Sequence, residues 1–152
     1  MIRHGRSIGV GLVTIALATS ACVGPATTIA AYEGKARRAA QDALSAVNTA
    51  LLGVRIHERG SLLENYFETM LSQTEDDISS VQNSFDSIQP PNSKSSDKLR
   101  DQLDNLLSDG VSGIAQLRIS ARREDGPALV QAATQLAPTA KDLSQFVESH
   151  GG

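Results

Sequence analysis

Beyond about Tyr32, apolar side chains recur along the chain at alternating steps of three and four, the period of an amphipathic helix. The first stripe, Ala36, Ala40, Ala43, Val47, Ala50 and Val54, predicts a helix from Ile29 to Arg59 with Gly60 as its stop. "SLLE" follows, and its spacing predicts a capping box between Ser61 and Glu64. The second stripe is Leu63, Phe67, Met70, Thr74, Ile78, Val81, Phe85 and Ile88. "QPPNSKSS", from Gln89, ends it, because proline cannot continue a helix and no large apolar side chain asks for burial there. A third helix is predicted from Ser96 or Asp97, with Leu99, Leu103, Leu106, Ile114, Leu117 and Ala121 on one face and Gly110 in the seam. "REDGP" closes it, and Pro127 suits the first turn of a fourth helix lined by Leu129, Ala133, Leu136, Ala140, Leu143 and Val147. Leu51, Leu52, Leu107 and Val130 lie beside the seams, either widening them or staying exposed.

Each helix carries one apolar stripe, so none is stable alone in water. Short connections make neighbours antiparallel. The expected fold is therefore all-α: an antiparallel up-down-up-down four-helix bundle over residues 32–150, roughly 40 Å long at about 1.5 Å per residue.

Antiparallel register brings distant residues level. Pairing the third and fourth helices across their turn sets Pro138 opposite Ser112, inside "GVSG". Pairing the second with the third adds Thr74 and Glu75, and the first helix adds Ser45 and Ala46. This layer is expected to lack large apolar side chains. One reading makes it a waist that bends or admits a small ligand, with Thr74, Glu75, Gly110, Ser112, Gly113 and Pro138 as its residues. The other is that the glycines only make room for a neighbouring helix.

The amino terminus follows a different pattern. Arg3 and Arg6 precede the apolar run "IGVGLVTIALA", then small residues, then Cys22. This is the layout of an export signal. "TSAC" resembles a bacterial lipoprotein signal, which implies that Cys22 becomes a lipidated first residue, with residues 1–21 as signal and 22–31 as a short tether. Ordinary cleavage is a second reading. An uncleaved anchor is a third, because Ile8 to Ala31 contains no charged residue. All three place the bundle outside the cytoplasm, at the outer face of the cytoplasmic membrane or secreted.

Composition narrows the chemistry. Aromatics are 3% with no Trp, and net charge is −3 with a pI near 5.5, which argues against a nucleic-acid partner. A single Cys excludes an internal disulfide and Cys-rich metal sites. Di-iron bundles need Glu-x-x-His, but His57 and His150 follow Val54 and Val147 at that spacing. "TEDD", Thr74 to Asp77, spreads its acids around a helix and reads as a solvated face. No cofactor and no catalytic activity are expected. Arg55 and Arg59 end the first helix, and Arg118, Arg122 and Arg123 end the third. Antiparallel packing gathers them into a tip that either docks an anionic partner or only answers the two helix dipoles.

With "AAYEGKARRAA", "EDDISSVQNSFDSIQPP" and "LRISARRED" added, the chain resembles exported helical proteins and lipoproteins of actinobacteria. That group carries no established activity, so the resemblance implies location and fold but no reaction. Four-helix sensor domains of bacterial chemoreceptors are similar in architecture. The expected function is contact with an unidentified envelope protein; the alternative is a ligand-binding or sensory bundle using the middle layer.

Overall fold

The computed structural model describes residues 28–150. Cys22 and the predicted signal lie outside the described residues. The described chain folds as α1 (Ile29–Glu58), α2 (Glu64–Asp86), α3 (Lys94–Arg122) and α4 (Gly126–Ser149). α1 packs on α2 and α4, and α3 packs on the same two, which closes the up-down-up-down ring. One diagonal is also closed: α1 touches α3, whereas α2 and α4 do not meet. Small side chains explain this flattening. α1 buries Ala36, Ala40, Ala43 and Ala50 in its seam, and α3 buries Gly110. Small residues let helix axes approach.

The stripe of α1 is buried at every predicted position, with Tyr32, Ala46 and Gly53 added. The others moved. In α3, Leu107 is buried and Leu106 only partly so. In α4 the buried set is Leu129, Ala132, Leu136, Thr139, Leu143 and Phe146, while Ala133, Ala140 and Val147 flank it. The predicted α4 stripe stepped four then three; the observed one steps three then four, which lets Phe146 enter the core. In α2, Leu71 replaces Met70 in the centre, and Leu63 is 82% exposed. Of the four flanking apolar residues, Leu51 and Leu107 join the core, and Leu52 and Val130 stay exposed.

The turns explain the helix ends. Gly60 adopts φ 68°, the left-handed conformation that glycine tolerates best. Its N–H donates to the His57 carbonyl and that of Ser61 to Ile56, a Schellman closure of α1. Ser61 therefore belongs to the end of α1, and the predicted capping box does not form. α2 starts at Glu64 behind Leu63, whose side chain makes no cap. The α3–α4 turn repeats the closure: Glu124 N–H donates to Ala121 and Asp125 N–H to Ser120. Here the left-handed residue is Glu124, φ 52°, where glycine is usual. Asp125 then caps α4, accepting from the Ala128 N–H at 3.0 Å. α3 begins earlier than predicted because Ser93 caps it, accepting from the Ser96 N–H at 3.1 Å.

No helix among the described residues is long and apolar enough to cross a membrane.

Candidate functional site

The two short turns, α1–α2 and α3–α4, form what is here the distal end of the bundle. The proximal end holds the start of α1, the α2–α3 connection and the end of α4.

Five large apolar side chains are strongly exposed among the described residues: Ile29, Leu52, Leu63, Tyr66 and Val130. All except Ile29 lie at or near the distal end. Leu63 precedes α2, Tyr66 is in its first turn at 62% exposure, Val130 is in the first turns of α4, and Leu52 is in the last turns of α1. Arg55, Arg59, Arg122 and Arg123 are exposed at the same end. Arg118 is not part of that group. Its Nε and Nη2 donate to both oxygens of Glu75, the second at 3.2 Å, and this bond raises the guanidinium's already high pKa. The bridge fastens α3 to α2, so the predicted five-arginine tip is a four-arginine tip.

Between the distal turns lies a cleft of about 380 Å³, lined by His57, Glu64, Ser120, Glu124, Asp125 and Leu129, among others. His57 stacks flat on Phe67, with ring centres 4.2 Å apart. Its Nε2 faces a Glu64 carboxylate oxygen at 3.6 Å, and its Nδ1 is buried with no partner among the described residues. The α1–α2 turn brings Glu64 across to His57. Only the Schellman geometry of Gly60 sets that approach, and spacing alone does not reveal it.

The predicted middle layer comes level as expected but does not converge. Thr74, with Ser45 and Ala46, lines a shallow groove between α1 and α2. Ser112, Gly113 and Pro138 line another between α3 and α4. Glu75 is held by Arg118 on a third side. The layer does not lack large apolar side chains. A Cβ on Gly110 would stand 2.6 Å from Ile78 Cδ1, and one on Gly113 would stand 2.5 Å from Leu136 Cδ1. Ile78 and Leu136 thus occupy the space the glycines leave. Pro138 points outward, and α4 runs through it.

A polar knot marks the proximal end. Arg100 donates to the carbonyls of Ile88 at 3.1 Å and Asp86 at 2.9 Å, closing the end of α2, and its Nε lies 3.4 Å from Asp104. Tyr32 is fully buried, stacked on Phe85, and its hydroxyl has no partner among the described residues; the same holds for Asp104 Oδ1. Burial raises the Tyr32 pKa against the opposing charge of Arg100. Burial likewise raises that of Asp104, with Arg100 opposing and Asp86 adding to it.

No group of three or more His, Cys, Asp or Glu among the described residues is arranged to hold a metal ion. No protein-family model, curated protein or solved structure matches the chain.

Proposed function

We propose that the protein is an exported, membrane-tethered bundle that works by protein contact through its distal end, without catalysis. The observation that carries this reading is the gathering of Leu52, Leu63, Tyr66 and Val130 at one end, beside four exposed arginines. Tyrosine and arginine are the residues over-represented where binding energy concentrates, and exposed apolar side chains at the same end as charged ones have the composition of a docking surface. A tether at the amino terminus, through Cys22 or the apolar run before it, holds the proximal end at the membrane. A rod of 30 residues in α1 then carries the distal end about 45 Å outward.

The test is a photo-crosslinking amino acid at Tyr66, compared with one at Ser84 near the opposite end of α2, in cells that make the protein. A discrete adduct from position 66 that is absent from position 84 supports the reading. Equal adducts, or none, refute it. Mass spectrometry of the membrane fraction decides the tether: an acylated Cys22 as first residue is the expected result.

A further inference from the structure

We propose that the distal cleft takes a basic side chain, lysine or arginine, presented by the partner protein. The inference deepens the contact reading above and rests on it. Glu64, Glu124 and Asp125 converge on the cleft from α2 and from the α3–α4 turn. None of the four exposed arginines comes within ion-pair distance of them; the ion pairs among the described residues join His57 to Glu64, Arg100 to Asp104 and Arg118 to Glu75. Glu124 and Asp125 thus have no ion-pair partner among the described residues, and Glu64 faces only His57.

A second observation points to a ligand. Ser120 is only 7% exposed, lines the cleft, and its hydroxyl has no hydrogen-bond partner among the described residues. Four threonine hydroxyls turn back on the preceding turn: those of Thr49, Thr69, Thr74 and Thr134 each donate to the carbonyl four residues earlier. Ser120 does not, which leaves its oxygen free to accept. Leu129 and Ala121 supply an apolar wall for a methylene stem, while the carboxylates and Ser120 accept from a guanidinium or ammonium head. Asp125 spends one oxygen on the Ala128 N–H and keeps the other.

The probe is acetyl-Gly-Arg-Gly-amide, titrated into the full-length chain and followed by the amide resonances of Gly126 and Ser120. Its citrulline counterpart is the neutral control. Saturable shifts with the arginine peptide alone, weakened about tenfold in a Glu64→Gln, Glu124→Gln double variant, are the expected result. Neither carboxylate caps a helix, so the variant keeps the fold, which its remaining resonances report. Equal shifts from the citrulline peptide, no saturation, or an unweakened double variant overturn the proposal. Tighter binding of spermidine than of the peptide also overturns it, by assigning the cleft to free polyamines. The Tyr66 adduct separates the two readings. If it persists undiminished in the double variant, the contact stands and the basic side chain falls. If it is absent while the arginine peptide binds, the cation site stands without the contact.

Discussion

Single residues at the bundle ends carry more information than their neighbours. Glu124 holds a left-handed conformation at a cost that glycine avoids. Glu124→Gly is expected to raise stability by about 1 kcal/mol in urea denaturation while weakening the arginine peptide. Asp104 gives a pH signature. Its carboxyl binds a proton more tightly folded than unfolded, so ionisation destabilises the fold. The protein is then most stable, as far as this group is concerned, below the ordinary carboxyl value of 3.8, and loses that contribution as pH rises through the raised one. Asp104→Asn removes the ionisation. Its melting temperature is expected to exceed that of the parent at neutral pH, with the gap closing in acid. A gap independent of pH would contradict this. Little of this was legible in the sequence. Glu124 reads as one letter of "REDGP", and Asp104 as a polar position between Leu103 and Leu107. What distinguishes them is a backbone angle and a neighbour from another helix.

At the scale of the helix, period is easy to read and phase is not. The α1 seam was legible at every position named, although Tyr32, Ala46 and Gly53 join it unannounced by the spacing. Adjacent apolar pairs defeat the same reasoning: Leu106–Leu107 and Ala132–Ala133 offer two stripes of equal hydrophobicity, and only the partner helix selects one. The choice is measurable. Leu107→Ala is expected to cost about 3 kcal/mol and Leu106→Ala about 1, because only the former empties a fully buried site. The glycines of α3 separate in the same way. At Gly113, Cδ1, Cγ and Cβ of Leu136 all crowd a new methyl, so the whole side chain must retreat. At Gly110 the clash is with the tip of Ile78, which rotates more cheaply. Gly113→Ala is expected to lose about 1 kcal/mol net of the helix-propensity gain, and Gly110→Ala to be near neutral. Melting of the two single variants checks this. A gain at both positions would show that the packing is looser than the distances indicate.

For the molecule as a whole, the four-helix order followed from loop lengths and stripe number, whereas the asymmetry between its ends did not. Exposure of Leu63 and Tyr66 depends on where α2 starts, and that depends on Ser61 being drawn into the α1 terminus. A Leu63→Ser, Tyr66→Ser double variant is expected to leave stability within about 0.5 kcal/mol of the parent and to abolish the distal adduct. The missing α2–α4 contact has a consequence for how the bundle comes apart. Removing α4 leaves α1, α2 and α3 still mutually packed through the diagonal, so the last helix has a route to peel away while the others hold. Amide exchange should reveal it as a late-chain unit that opens at lower free energy, from Leu129 to Phe146, without exposing the α1–α2 hairpin.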